Sequence, residues 1–359
     1  MPKTPVRKEM PGVALTREEF ARRMHGQFSD PAFDAIRNEV ERIVEAAWQG
    51  YSESRKSPHT QPAGPGYADP SYELSVEWSE ASRRVKEAER QQKDPASPSR
   101  ILLINGAARS EHTCPGETSK TWRLAMLARE IFDQDKELET DLLDLSRLTS
   151  EYGRKIFPCK TCVSTAMPLC HWPCSCYPNH ALGQVQDWMH DIYPMWAAAH
   201  GIMILTPVNW YSPSSVLKLM IDRLVCADGG NPDPTSTKGK TPELAKELEL
   251  AGWPYPRHLA GRVFSVVVHG DAAGVGAVRN GLTNWLTDMG LIEAGHASQL
   301  GTYIGYMAPY ATSHDALDKD SAVQEETRNA ARALVRAVNQ IRRGELKQPD
   351  SGLREPRPK

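Results

Sequence analysis

The chain has 359 residues, of which 40% are hydrophobic and 25% charged, and its formal net charge is -2. This length supports one large domain or two smaller ones around a substantial core. A near-neutral chain without a basic stripe argues against a nucleic-acid partner. The sequence has no run of 18 apolar residues that would predict a membrane span, and its N-terminus lacks the apolar core of a secretory signal. We therefore expect a cytoplasmic protein with no membrane partner.

Residues 1–98 are predicted to form a helical N-terminal extension with linkers. Thr16 followed by Glu19 has the spacing of a capping box, and Asp30 followed by Pro31 is typical of a helix start. A third, highly charged helix is predicted over residues 72–92, between segments rich in Pro, Gly and Ser. Packing on the main domain or on a sister subunit is the simpler interpretation, and a separate binding module is the alternative.

From Arg100 onward, apolar strands alternate with helices. The predicted strands are RILLING, LETDLLDL, HGIMILTPVNW, RVFSVVVHGD and a fifth near ASQLGTYIG. Such alternation predicts an α/β fold with a parallel sheet and helices on both faces. A long amphipathic helix closes this domain, which we expect to span residues 99–344, with an insertion at about 226–260. The insertion is interpreted as a surface elaboration or dimer contact, or alternatively as a lid. Residues 345–359 are predicted to be a disordered tail.

Polar residues follow the first strand and lead into a helix. Backbone N–H groups at a helix N-terminus favour an anion, and hydroxyl and cationic side chains add donors, so this loop is suited to a phosphate. The residues in question are Arg109, Ser110, Ser119, Lys120 and Thr121. The loop lacks both G-x-x-x-x-G-K-[ST] and G-x-G-x-x-G, which disfavours a nucleotide triphosphatase and a dinucleotide site. A capped helix with ordinary loop polar groups is the alternative.

Two further loops end the third and fourth strands. The first places backbone groups and aromatic faces at the end of its strand, which suits a flat heteroaromatic ligand, although aromatic core packing is the alternative. The second has glycines that let the backbone approach a ligand, and a histidine that could equally be a structural, hydrogen-bonded one. The residues are Pro207, Val208, Asn209, Trp210 and Tyr211, and then His269, Gly270, Asp271 and Gly274.

These three loops resemble those of the flavodoxin-like NAD(P)H-dependent FMN reductases, including the branch called iron-sulfur flavoproteins. The resemblance covers about residues 99–300. It rests on Gly106-Ala107-Ala108-Arg109 with Lys120-Thr121-Trp122-Arg123-Leu124, and on Thr206-Pro207-Val208-Asn209-Trp210-Tyr211 with Ile221-Asp222-Arg223. Two positions depart from the family pattern. Ala107 stands where a serine is usual, so phosphate binding would rely on Ser110, Ser119 and Thr121, and Asn209 stands where an aromatic residue is common.

The resemblance implies a doubly wound, five-stranded parallel sheet of order 2-1-3-4-5. It also implies FMN as cofactor, with the phosphate in the first loop, the ring between the other two, and N–H groups of residues 208–211 beside the ring. NAD(P)H would be the co-substrate, and a small molecule such as a quinone, free flavin or metal ion the electron acceptor. A homo-oligomer is implied as well. No catalytic side chain is assigned, because the cofactor carries the redox chemistry.

Two other functions stay open. One is an electron-transfer flavoprotein with FMN, an iron-sulfur cluster and a protein partner. The other is a flavodoxin-like scaffold without redox activity, which would bind a partner through its helical extension.

Five of the seven cysteines crowd into residues 157–179. An iron-sulfur cluster needs four thiolates, and zinc would accept the same set. A disulfide or redox thiol pair and a metal-free loop that packs beside the flavin are the alternatives; a reducing compartment disfavours a structural disulfide. The candidate ligands are any four of Cys159, Cys162, Cys170, Cys174 and Cys176.

Overall fold

A computed structural model of the protein describes residues 14–113 and 116–346. Apart from its first two residues, the segment predicted to be a disordered tail, 345–359, lies outside the described residues. Among the helices that the structure describes, none is long and apolar enough to cross a membrane.

In its described part, residues 14–98, the N-terminal extension contains three α-helices and a small sheet. The Thr16 hydroxyl accepts the Glu19 N–H at 3.2 Å, so the predicted cap starts the first helix. Asp30 also caps as predicted, but the turns it begins, Pro31–Ile36, are 3-10 helix, and the α-helix starts only at Arg37. Two short antiparallel strands were not predicted. The elements are α1 (Arg17–His25), α2 (Arg37–Ser52), β1 (Thr60–Pro62), β2 (Glu73–Ser75) and α3 (Val76–Lys93).

The main domain is built on a parallel sheet whose order is β4-β3-β5-β6, with β7 and β8 both paired to β6. This confirms the predicted doubly wound order 2-1-3-4-5, with the difference that two short strands share the fifth position. The strands are β3 (Ser99–Asn105), β4 (Leu138–Asp144), β5 (Gly201–Pro207), β6 (Val263–Gly270), β7 (Ile292–Glu293) and β8 (Gln299–Tyr303).

Helices cover both faces of this sheet. Ile101 and Leu103 of β3 pack with α4 and α11, whereas Leu102 and Ile104 pack with α6, α7 and α9. This alternation follows from the two-residue period of a strand, and it explains why β3 is apolar along its length. The helices are α4 (Lys120–Phe132), α5 (Arg147–Ser150), α6 (Met189–Ala198), α7 (Ser215–Arg223), α8 (Pro242–Leu250), α9 (Val275–Asp288), α10 (Asp315–Lys319) and α11 (Ser321–Arg342).

Helix α3 packs against the main domain. Its Val85 and Ala88 belong to the same core as α6, and the Trp78 indole N–H donates to the Pro173 carbonyl at 2.9 Å. The inserted segment contacts the cysteine-rich one, because Glu249 at the end of α8 accepts the Met167 N–H at 3.1 Å. Both the extension and the insertion therefore brace the segment that contains the cysteines.

A buried ion pair joins α7 to the cysteine-rich segment. The Arg223 guanidinium lies 2.6 Å from the Asp187 carboxylate, and neither side chain is exposed to solvent. Arg223 also donates to the Phe157 carbonyl at 2.8 Å and lies 4.7 Å from the centroid of the Tyr177 ring. Arg223, at the end of α7, thus holds both ends of residues 157–187.

We expect Asp187→Ala to lower the free energy of unfolding by about 3–5 kcal/mol, because it leaves the Arg223 charge buried without its carboxylate. Asp222→Ala is the matched control, since Asp222 pairs with Lys218 on the exposed surface of α7, where such pairs contribute less than about 1 kcal/mol. Urea unfolding of both variants measures the difference. Equal losses in the two variants would contradict this role of Arg223.

Candidate functional site

The three loops singled out in the sequence meet at the carboxyl edge of the sheet. The Gly106 N–H donates to the Leu205 carbonyl at 2.7 Å, and the Val208 N–H donates to the His269 carbonyl at 2.9 Å. The Ser214 hydroxyl donates to the Gly106 carbonyl. In parallel α/β sheets, ligands bind at this edge, near the point where the strand order reverses.

The hydroxyl groups of the first loop are buried and bonded within the protein. Ser119 caps α4 by accepting the Trp122 N–H at 3.1 Å, and it donates to the Arg109 carbonyl at 3.0 Å. The Ser110 hydroxyl accepts the His112 N–H at 3.3 Å, and the Thr121 hydroxyl lies 2.7 Å from His269 Nε2. These side chains fix the shape of the loop. The first N–H groups of α4, which have no intrahelical acceptor, are the donors left for an anion.

Cations surround this helix N-terminus. Lys120 is buried, and its ammonium donates to the Ile304 carbonyl at 3.1 Å and lies 3.5 Å from the Asp271 carboxylate. Burial lowers the pKa of His314, the nearby Glu117 opposes that shift, and the charges of Lys120, Arg109 and Arg123 lower the pKa further. The structure thus adds Arg123 and His314 to the candidate site residues proposed from the sequence. No sequence signal indicated His314, because it follows the first loop by about two hundred residues.

Two buried nitrogen atoms at this site have no hydrogen-bond partner among the described residues: His269 Nδ1 and Arg109 Nε. Burial, with a contribution from Lys120, lowers the pKa of His269 to about 3, so its ring is neutral at physiological pH. The described residues contain eleven buried side-chain nitrogen or oxygen atoms without a partner, and these two lie beside a cationic helix N-terminus, where an anion could accept from them. The residues therefore fit a phosphate-bearing ligand such as FMN.

The second loop has a strained backbone. The Ser212 N–H donates to the Asn209 carbonyl and the Asn209 N–H to the Ser212 carbonyl, at 3.0 and 2.8 Å. Between them, Trp210 and Tyr211 have φ values of 48° and 62°, the pattern of a type I′ turn. This left-handed conformation costs about 1–2 kcal/mol for each residue with a side chain. Pro207 ends β5, and a Cβ atom added at Gly274 of the third loop would lie 3.1 Å from the Val208 side chain.

The third loop approaches the second closely. Gly274 has a φ of +115°, and a side chain there would come within 3.2 Å of the Tyr211 Cα atom. A side chain at Gly270 would lie 2.9 Å from the Ala272 carbonyl. Both glycines are therefore required by geometry, as the sequence predicts. His269 and Asp271 bond to α4 residues of the first loop, so the structure brings all the predicted flavin-site positions together.

The cysteine-rich segment forms a thiol cluster, which we define as Cys162, Cys170, Cys174 and Cys176. Cys170, Cys174 and Cys176 are buried, whereas Cys162 is partly exposed and its sulfur lies 3.7 Å from the Lys240 ammonium. The hydrogen bond with Cys170 raises the pKa of Cys162 to about 11. Burial disfavours the Lys240 ammonium, but the surrounding thiols oppose this and the net shift of its pKa is upward.

The structure gives no support to a metal centre on these cysteines, which the sequence left open as one of several alternatives. Within residues 14–113 and 116–346, no group of three or more His, Cys, Asp or Glu side chains is placed to hold a metal ion. The six cysteines in these ranges are free thiols, without a disulfide. Among them, Cys159 accepts the Thr161 N–H at 3.3 Å. His171 is fully buried between the hydroxyl groups of Ser175 and Thr237.

The metal content of the purified protein tests whether the cysteines proposed from the sequence bind a metal. Iron, sulfide and zinc are measured in protein purified without oxygen, for the wild type, Cys162→Ser and Cys159→Ser. Iron and sulfide that survive Cys159→Ser and disappear in Cys162→Ser would establish a cluster on the thiols. A wild-type protein without metal would establish the metal-free alternative.

The sequence of residues 99–303, more than half of the chain, matches the family model described as NADPH-dependent FMN reductase. The chain belongs to this family. No curated protein matches the chain in sequence.

Solved structures that align with this chain were also found. RosB with a bound intermediate, OHC-RP, is 13% identical over 69% of this chain and 82% of that one, with a TM-score of 0.48. The apo form of the NADH:FMN oxidoreductase EMOB is 15% identical over 70% and 93%, with a TM-score of 0.36. A WrbA-like flavodoxin from Agrobacterium tumefaciens is 12% identical over 69% and 99%, with a TM-score of 0.33. At these scores the likenesses carry no argument about the site.

The neutral, buried His269 makes the stability of the site depend on pH. Its pKa is about 3 in the folded protein and about 6.5 in the unfolded chain, so its contribution is complete above pH 6.5 and is lost as the pH falls towards 3. We expect His269→Asn, which cannot titrate, to lose stability less steeply than the wild type, by about 1 kcal/mol per pH unit below pH 6. Urea unfolding of FMN-free protein between about pH 7 and pH 5 measures both slopes. Parallel slopes would contradict the buried neutral state.

Proposed function

We propose that the protein is an oxidoreductase that uses a reduced nicotinamide to reduce bound FMN and then passes the electrons to a small acceptor such as a quinone, free flavin or metal ion. The observation that carries this proposal is the α4 N-terminus, where the unpaired nitrogens of His269 and Arg109 meet a cluster of cations in a chain of the FMN reductase family.

Each loop has a distinct part in this proposal. The FMN phosphate would bind at the N–H groups of Lys120 and Thr121, with Arg109 nearby as the charge partner. The ring would lie between the Pro207–Tyr211 loop and the His269–Gly274 loop. FMN supplies the redox chemistry when bound, while the protein binds and orients it and limits access of water.

The backbone donors that face the ring are fewer than the sequence suggested. Val208 and Asn209 use their N–H groups within the fold, bonded to His269 and Ser212. Within the part of the chain that the structure describes, the N–H groups of Trp210 and Tyr211 have no hydrogen-bond acceptor and remain available. We infer that these two donors stabilise negative charge on the reduced ring, as preorganised dipoles do.

Reduction of the bound flavin tests the function. Under anaerobic conditions, NADH or NADPH should bleach the absorbance of the FMN-loaded protein in a stoichiometric single turnover, and a quinone should restore it. The comparison of the two nucleotides also decides which one the protein prefers. A protein that binds FMN but is bleached by neither nucleotide would favour a flavodoxin-like scaffold or a partner-dependent electron carrier.

We expect Gly274→Ala to weaken FMN binding about tenfold, because a side chain at a φ of +115° is strained and would push against Tyr211. Gly276→Ala is the matched control: it lies two residues away in α9, and a side chain there meets nothing within 4 Å. Quenching of FMN fluorescence in a titration gives both dissociation constants. Equal affinities of the two variants would place the ring elsewhere.

The cytoplasmic location and the homo-oligomer stay predictions of the sequence. Sedimentation of the FMN-loaded protein gives the oligomeric state directly, and fractionation of the producing cells gives the location.

A further inference from the structure

Aromatic side chains are exposed mainly in two loops beside the flavin site. The described residues leave six aromatic side chains exposed, and five of them lie in the turn after β5 and in the loop that begins at the end of β8. Trp210 is 95% exposed and Tyr310 is 81% exposed. The six are Tyr152, Trp210, Tyr211, Tyr303, Tyr306 and Tyr310. Together with the exposed Met307, the five in these loops are called the aromatic rim below.

The backbone holds these side chains outward at a cost in strain. Trp210, Tyr211 and Met307 all have positive φ values, of 48°, 62° and 58°. Glycine or asparagine would adopt such turns without strain, so the large side chains are not explained by the turn itself. Strained residues of this kind cluster at ligand sites, and here they are also exposed instead of packed.

Both loops are fixed to the third flavin loop. On one side, the Tyr211 backbone lies close to Gly274. On the other side, the Ile304 N–H donates to the Gly270 carbonyl at 2.9 Å and the Met307 N–H donates to the Asp271 carbonyl at 3.2 Å. The rings of Tyr303 and Tyr306 contact each other, with centroids 4.7 Å apart. The rim therefore flanks residues 270–274 from two directions.

We propose that the aromatic rim binds a planar aromatic electron acceptor of the quinone class, held by ring stacking beside the flavin site. The proposal rests on the proposed function. Tyr306, Met307 and Tyr310 follow the family match, which ends at Tyr303, so this half of the rim lies outside the matched residues. Asp271, whose backbone carbonyl accepts the Met307 N–H, has its carboxylate paired with Lys120, so the rim offers aromatic faces instead of charged ligands for a metal ion.

The chemistry balances without a further reactant. NAD(P)H gives up a hydride and becomes NAD(P)⁺. The quinone takes the two electrons of that hydride together with two protons, one from the hydride and one from water, and leaves as a hydroquinone. The rim contributes binding and orientation only, since ring pairs favour offset-stacked or edge-to-face contacts.

The double variant Tyr306→Ala/Tyr310→Ala tests the proposal, with Tyr152→Ala as the control because Tyr152 is fully exposed outside both loops. KM is measured for a naphthoquinone and for ferricyanide, which is not planar and does not stack. We expect the ratio of the naphthoquinone KM to the ferricyanide KM to rise about tenfold in the double variant and to stay unchanged in Tyr152→Ala. An unchanged ratio in the double variant would overturn the proposal.

Two further measurements distinguish acceptor binding at the rim from a failure of the proposed function and from an oligomer interface. If the wild type binds no FMN in a fluorescence titration, the proposed function fails before the rim is tested. Sedimentation velocity of the FMN-loaded double variant, compared with the wild type, tests the rival occupant. If the double variant dissociates an oligomer, the rim is an interface between copies of the chain and the proposal is wrong.

Discussion

The need to neutralise one buried charge organises the half of the molecule around the cysteines. The Arg223 guanidinium at the end of α7 has no contact with solvent, and an unpaired charge in that position would cost several kcal/mol. Asp187 and the Phe157 carbonyl accept hydrogen bonds from its two terminal nitrogens, and they lie at the two ends of residues 157–187, which include the cysteine-rich segment. Helix α7, which follows the turn with Trp210 and Tyr211, is thereby fixed to that segment.

The candidate flavin site depends on a second set of polar contacts that leave selected atoms unpaired. Thr121 holds His269 at one ring nitrogen, while the other nitrogen stays free of partners among the described residues. Lys120 ties the first loop to Asp271 and Ile304. These contacts fix the three loops before any ligand binds. The conformational entropy of the loops is therefore lost on folding and does not weaken ligand binding.

Much of this arrangement could be predicted from sequence because it is local. Apolar strands followed by polar loops indicated the sheet and the residues at its carboxyl edge, including Lys120 and His269, and the family resemblance implied the strand order. Helix α6 was missed because Pro194 interrupts its pattern. The short β1–β2 pair was missed because it lies in a linker rich in Pro and Gly.

Long-range contacts were beyond the sequence pattern. Nothing near His314 indicates that it would lie beside the first loop, and the exposure of Tyr306 and Tyr310 follows from a loop conformation, not from composition. The cysteine spacing indicated a cluster of sulfur atoms, and the structure does gather them. Spacing alone cannot say whether buried thiols are ligands, because a packed Cys behaves as a small apolar residue.

Binding of FMN compared with riboflavin tests the central claim most directly, since the two differ only in the phosphate assigned to the α4 N-terminus. Isothermal titration of the cofactor-free protein should give one FMN site per chain. Riboflavin should bind at least about a hundredfold more weakly, because charge-assisted hydrogen bonds to the phosphate are lost. Equal affinity for the two flavins, or no binding of FMN, would contradict the account.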